Sequence, residues 1–201
     1  TTEIYTLSLH DALPILAHLL GRETPALDVE LVAYTLEEPP FFRTPAMGSA
    51  VHAASVASRP DPIRGVIVLE MVGCFRDEPG SQSYPSLLLR LIYPSRGNFI
   101  AVVGHLGQGG WVKAVKRGMK GTTDLPVWSL RAPTVVPGID FSDHASYWPH
   151  GIQAVMVTDT AFYRNDRYHT AADTAERLDY DRMSMVVVAV FEALRQLAPS
   201  R

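Results

Sequence analysis

Four short apolar runs constrain the fold of this sequence more than any other feature. They are 29–36 (VELVAYTL), 65–72 (GVIVLEMV), 99–104 (FIAVVG) and 152–159 (IQAVMVTD). Runs this apolar and this rich in β-branched residues are typical of central strands that helices cover on both faces. Like the apolar run 185–191 (MVVVAVF), they are far shorter than a transmembrane helix, so the sequence predicts no membrane span.

Helical segments alternate with these strands, and the last one is the clearest. After Asp179, a suitable N-cap, apolar residues recur at intervals of three and four. This stripe consists of Met183, Val186, Val187, Val190, Phe191, Leu194 and Leu197. Further helices are predicted over 48–58 and 110–120, with a helix stump at 16–20. The alternation of strands and helices predicts an α/β layered domain.

The first fifteen residues differ in origin from the rest. Codon by codon, Thr1 to Ile15 matches the forward translation of a widely used short-read sequencing adapter. We therefore interpret residues 1–15 as an adapter-derived artefact and exclude them from the predicted fold. The natural sequence is then expected to begin near Leu16, partway through a longer gene.

The composition indicates which class of protein this is and which partners it gives no sign of binding. The chain is 47% apolar and 19% charged with a net charge of −3, as expected of a globular domain. This balance gives no indication of a nucleic-acid or anionic-membrane partner. Cys74 is the only cysteine, which excludes an internal disulfide.

Three carboxylates lie where an apolar strand would not ordinarily place them. Glu37 and Glu38 end the first run and are followed by two prolines, which bar a helix there. Curvature at the strand exit would turn both toward one cleft, but a solvated strand end is the simpler alternative. Glu70 lies within an apolar run and must be paired or bound to a metal if buried. A core ion pair and a metal ligand both remain open for it.

Two histidines complete the set of candidates. His169 follows the last strand, where a solvated loop histidine is the alternative to a ligand. Asp143 and His144 form a second pair, whose alternative is an N-cap. Because the carboxyl ends of parallel strands share one crevice, Glu38, Glu70 and His169 would supply oxygen, oxygen and nitrogen ligands. That set suits zinc and leaves Glu37 free as a general base.

Four segments, taken in order, resemble the two-zinc exopeptidase family, which includes bacterial leucyl-type aminopeptidases and glutamate carboxypeptidases. They are 35–42 (TLEEPPFF), 68–73 (VLEMVG), 142–148 (SDHASYW) and 151–170 (GIQAVMVTDTAFYRNDRYHT). The resemblance implies a three-layer αβα sandwich with a mostly parallel mixed sheet whose N-terminal strands are missing. Residues 16–201 would form the C-terminal part of a zinc exopeptidase catalytic domain, acting on peptides through a metal-activated water.

The resemblance also implies a role for each matching position. Glu37 resembles the general acid/base, and Glu38 and His169 resemble ligands of one zinc. Glu70 resembles the carboxylate ligand of the other zinc, where many members have Asp. Tyr168 lies where some members have a tyrosine that helps to hold the oxyanion.

The remaining family features are partly absent. Asp143 and His144 fall in a segment near the substrate cleft without a firm role. The upstream His-x-Asp and the aspartate that bridges the two zincs are missing, and His10 and Asp11 have the wrong spacing to replace them. The two-zinc site is therefore expected to be incomplete and this fragment inactive. Two alternatives are a glutaminyl-cyclase-like acyltransferase and a non-catalytic binding relative of the same fold.

Overall fold

A mixed, mostly parallel sheet forms the centre of the protein. The computed structural model describes residues 2–7, 12–23 and 25–197. The strands are β1 (Thr2–Leu7), β2 (Asp28–Val32), β3 (Val66–Leu69), β4 (Ile100–His105), β5 (Val127–Ala132) and β6 (Ala154–Thr158). Their order is β2-β1-β3-β6-β4-β5, and only the β4–β6 pairing is antiparallel. This confirms the predicted sheet.

Helices cover both faces of the sheet. They are α1 (Ala12–Arg22), α2 (Gly48–Ala57), α3 (Gly109–Met119) and α4 (Tyr180–Leu197), with short 3₁₀ segments that include Asp143–His150. Alternate residues of β3 point to opposite sides: Ile67 packs with α1, α3 and α4, whereas Val68 packs with α2 and with Tyr147. The three-layer αβα arrangement is thus confirmed. Among the described residues, no helix is long and apolar enough to cross a bilayer.

The predicted C-terminal helix begins as expected. The Asp179 carboxylate accepts a hydrogen bond of 2.9 Å from the backbone N–H of Arg182, which satisfies one of the unpaired donors of the first turn. The whole apolar stripe of α4 is buried against α1 and α3.

The structure differs from two expectations for the N-terminal segment. The structure pairs Thr2–Leu7 as β1, in parallel with both β2 and β3, although residues 1–15 had been excluded from the fold. Likewise, α1 begins at Ala12 rather than at Leu16. Pairing satisfies backbone N–H and C=O groups whatever the origin of the residues, and a segment with two threonines, an isoleucine and a tyrosine suits a strand. The adapter origin itself stays a prediction.

Candidate active site

The chain segments that follow β2 and β6 meet at one end of the sheet. His169 Nε2 donates a hydrogen bond of 3.0 Å to Glu38 Oε1, and both side chains are more than half exposed. The ring of Tyr168 stacks on the His169 ring with centroids 3.9 Å apart. Both Leu36, just before the glutamate pair, and His169 have left-handed backbone angles, with φ of 61° and 58°. Such conformations cost free energy in residues other than glycine and are concentrated at functional sites.

Two further glutamates carry strongly perturbed acidities. Burial, and then the charges of Asp143 and Glu38, raise the pKa of the Glu37 carboxyl to about 7. Burial, and then the charge of Glu37, raise the pKa of Glu70 to about 8. Ser142 Oγ donates a hydrogen bond of 2.9 Å to Glu70 Oε2. The carboxylates that the sequence predicts as a site are therefore electrostatically coupled.

The residues fit a divalent cation in donor chemistry but do not form a complete site. Glu38 and His169 are in contact, yet no group of three or more potential ligands is gathered closely enough to hold a metal among the described side chains. Glu70 instead accepts the hydrogen bond from Ser142, and like charges repel one another at short range. A cation would offset that repulsion, and the oxygen and nitrogen donors present are those that zinc prefers.

Asp143 and His144 are neighbours in sequence but lie in different surroundings. The Asp143 carboxyl is buried, and burial raises its pKa to about 6 although a hydrogen bond from Ser49 opposes the shift. Its Oδ1 has no hydrogen-bond partner. The predicted N-cap alternative is not seen at Ser142, because neither its side chain nor any other caps this 3₁₀ segment. The charge of Asp143 acts on Glu37 and Glu70, whereas His144 lies in the core.

His144 is a buried neutral imidazole. It is fully buried, and its Nε2–H donates to the backbone oxygen of Ile139 at 2.8 Å while its ring meets the edge of Trp148. Burial lowers the pKa of His144 to about 4. A protonated His144 would thus be poorly tolerated in the folded state.

We expect His144 to make the fold acid-sensitive. The unfolded chain binds a proton here below pH 6.5 and the folded chain only near pH 4, so stability is lost as the pH falls between these values. The loss amounts to roughly 3 kcal/mol at most. Urea unfolding at pH 7.5, 6, 5 and 4 measures it. In His144→Gln the loss should shrink by that amount, whereas the exposed His150→Gln serves as control. An unchanged pH dependence in His144→Gln would contradict the assignment.

An aromatic pocket adjoins the site, and the motif search missed it. Glu70 and Tyr168 are among the residues that line it. Its walls include Tyr84, Tyr93, Phe99, Trp128, Phe141, Met156, Phe162 and Tyr163. The only signal in the sequence is the abundance of aromatic residues in the long loops, which marks those loops as functional but does not show that they share one cavity.

A phenol at the border of this pocket faces the glutamates. Burial, and then the charges of Glu70, Glu38 and Glu37, raise the pKa of Tyr168 above its usual range. The Tyr168 hydroxyl therefore remains protonated at neutral pH and is available as a hydrogen-bond donor.

A buried polar network holds the loops that wall the pocket. Arg164 Nε donates to Gln82 Oε1 and its Nη1 to the backbone oxygen of Cys74, both at 2.9 Å. The Asp159 carboxylate accepts from the backbone N–H groups of Cys74 and Ala161 at 2.7 and 2.9 Å. The connection between β3 and β4 is thus tied, at Cys74 and at Gln82, to the segment that follows β6.

Comparison with known proteins identifies the family. The profile of Peptidase family M28 matches residues 9–194. The chain belongs to peptidase family M28. This M28 chain is 51% identical over 179 residues to the protein YfbL of Escherichia coli K12, a match that covers 89% of this chain and 54% of YfbL.

Solved structures of low sequence identity show the same fold. The LapA aminopeptidase of Legionella pneumophila aligns with a TM-score of 0.70 at 16% identity, covering 99% of this chain and 52% of LapA. The zinc aminopeptidase BSAP of Bacillus subtilis gives 0.67 at 15%, covering 100% and 46%. A glutaminyl cyclase of Bacteroides thetaiotaomicron gives 0.62 at 13%, covering 96% and 73%. This M28 chain spans about half the length of YfbL and of the aminopeptidases. The resemblance to the two-zinc exopeptidase family is confirmed.

Proposed function

We propose that the full-length protein is a zinc-dependent exopeptidase of the aminopeptidase type, which removes terminal residues from peptides. The observation that carries the proposal is the contact of Glu38 with His169 beside the half-buried Glu37, whose pKa is raised to about 7. Membership of a peptidase family and a fold shared with a zinc aminopeptidase support it.

In this proposal the zinc ligands are divided between two positions. Glu38 and His169 would hold one zinc, and Glu70 would contribute to a second. Both positions would need further ligands to be complete. Bound zinc supplies Lewis acidity, which polarises a scissile carbonyl and lowers the pKa of water.

Glu37 is the proton carrier. A carboxyl group with a pKa near 7 exchanges its proton readily at neutral pH, so it can take one from the attacking water and return it to the leaving amine. Tyr168, which stays protonated, would donate a hydrogen bond to the oxyanion of the tetrahedral intermediate. The aromatic pocket beside them would receive an apolar side chain of the substrate.

We expect this chain to bind zinc weakly, with at most about one ion held by the Glu38 and His169 pair. Calorimetric titration of zinc into the apo chain measures this. His169→Ala and Glu38→Gln should each weaken binding about tenfold or more. His150→Ala replaces another exposed histidine, outside the proposed ligand set, and should leave binding unchanged. Binding that resists both site substitutions would refute the ligand assignment.

An activity panel separates the proposed reactions. A full-length form would be assayed with aminoacyl anilides and with peptides that begin with glutamine. Release of the anilide supports the exopeptidase. Cyclisation of the glutaminyl peptides would favour acyl transfer, the alternative suggested by the fold shared with a glutaminyl cyclase. A full-length protein without zinc and without either activity would favour a binding module.

A further inference from the structure

A single turn of the chain exposes four large apolar side chains to solvent. We call residues 86–92 the apolar tip. In it Leu87, Leu88, Leu91 and Ile92 are 75%, 70%, 84% and 65% exposed. Solitary exposed leucines are ordinary, but a contiguous exposed group marks an interaction site. None of these four side chains lines the pocket, whereas Leu89 does.

Backbone hydrogen bonds give the apolar tip a regular local structure. Consecutive i to i+3 backbone hydrogen bonds run through it, from Leu89 N to Ser86 O up to Ile92 N to Leu89 O, with lengths of 3.1 to 3.2 Å. Its base is pinned on both sides: the Tyr84 hydroxyl donates to Pro94 O and the Tyr93 hydroxyl to Ser129 O, each at 2.7 Å. These hydrogen bonds hold the base of the apolar tip in place.

The charge around the apolar tip is opposite to that of the whole chain. Residues 79–98 contain no aspartate or glutamate but include Arg90 and Arg96, while the complete chain carries a net charge of −3. Trp128 packs against Tyr93 with ring centroids 5.5 Å apart, and the Lys116 ammonium lies 5.9 Å from the Trp128 ring centroid. Basic and aromatic groups therefore flank the exposed leucines. The net negative charge of the whole chain does not reveal this local positive charge.

We propose that the apolar tip inserts into the interface of a membrane that contains anionic lipid. A fluid bilayer can take up exposed leucines without a complementary surface. Aromatic rings at headgroup level and basic groups near lipid phosphates are what interfacial binding uses. Tyr93 and Trp128 supply the rings, and Arg90 and Lys116 supply the positive charge.

Flotation of this chain with lipid vesicles tests the proposal. The chain should float with vesicles of phosphatidylcholine and phosphatidylglycerol mixed at about 7:3 and much less with pure phosphatidylcholine. Trp128 emission should shift to the blue on binding. Leu88→Glu and Leu91→Glu should each weaken partitioning about tenfold or more. Arg90→Gln should weaken it about fivefold, and only toward the anionic vesicles.

Val51→Glu is the matched control, because Val51 is a solitary apolar residue of α2 that is 59% exposed. It should float like the unaltered chain. Flotation that is absent, that ignores lipid charge, or that survives Leu91→Glu would overturn the proposal. So would a dimer, seen by light scattering without lipid, that Leu91→Glu abolishes, since a second copy would then be the occupant.

Discussion

Glu37→Gln in a full-length form is expected to lower kcat by about 10²–10⁴-fold while the zinc content stays the same. Glutamine keeps the size and one oxygen of the side chain but cannot take a proton from water. Glu37 is not part of the Glu38–His169 contact, so the proposed ligands are left in place. Steady-state kinetics and metal analysis of the same preparation measure the two quantities together.

Two comparisons make this result interpretable. Glu78→Gln changes an exposed carboxylate and should leave kcat and zinc content unaltered. Glu38→Gln should instead lower the zinc content and the activity together. Undiminished turnover in Glu37→Gln would remove Glu37 from the mechanism, and a loss of zinc in that variant would make it a ligand rather than the base.

Apolar runs and the apolar stripe of the last helix predicted the buried core of the fold. Segments that mix apolar and polar residues were not predicted. The fully buried strands β3 and β6 and the stripe of α4 were predicted because burial on every side leaves mostly apolar residues. By contrast β5 (VWSLRA) is an edge strand that mixes apolar and polar residues, and it was missed. The first run was predicted to extend to Leu36, but pairing ends at Val32, because strand ends depend on the available partners.

The candidate site was predictable as a set of residues but not as an arrangement. Glu38 and His169, which touch, are 131 positions apart. Their places after two predicted strands, together with the resemblance, predicted that they lie close, but not which atoms meet. The raised pKa of Glu37 depends on burial and on Asp143, which tertiary folding brings near. The aromatic pocket likewise gathers side chains from several loops, none of which carries a recognisable motif.

Arg164→Met is expected to destabilise the fold by about 3–5 kcal/mol. Arg164 is almost fully buried, and its guanidinium lies over Phe99, 4.6 Å from the ring centroid, as well as bonding Gln82 and Cys74. Burial lowers the pKa of Arg164 to about 10, and nearby Asp159 opposes that shift. Removing the arginine leaves the fully buried Asp159 without its nearby positive charge. Urea unfolding at pH 7.5 measures the loss, and the exposed Arg167→Met is the control.

A double-mutant cycle and pH separate lost charge pairing from lost packing. Burial already raises the pKa of Asp159 to about 6, and without Arg164 it should rise further. A raised carboxyl pKa means that stability is retained at low pH and lost as the pH rises above the unfolded value near 3.8. Arg164→Met should therefore be less destabilising at pH 5 than at pH 8, and Asp159→Asn should recover part of the loss. A loss that is equal at both pH values and additive with Asp159→Asn would assign Arg164 a packing role alone.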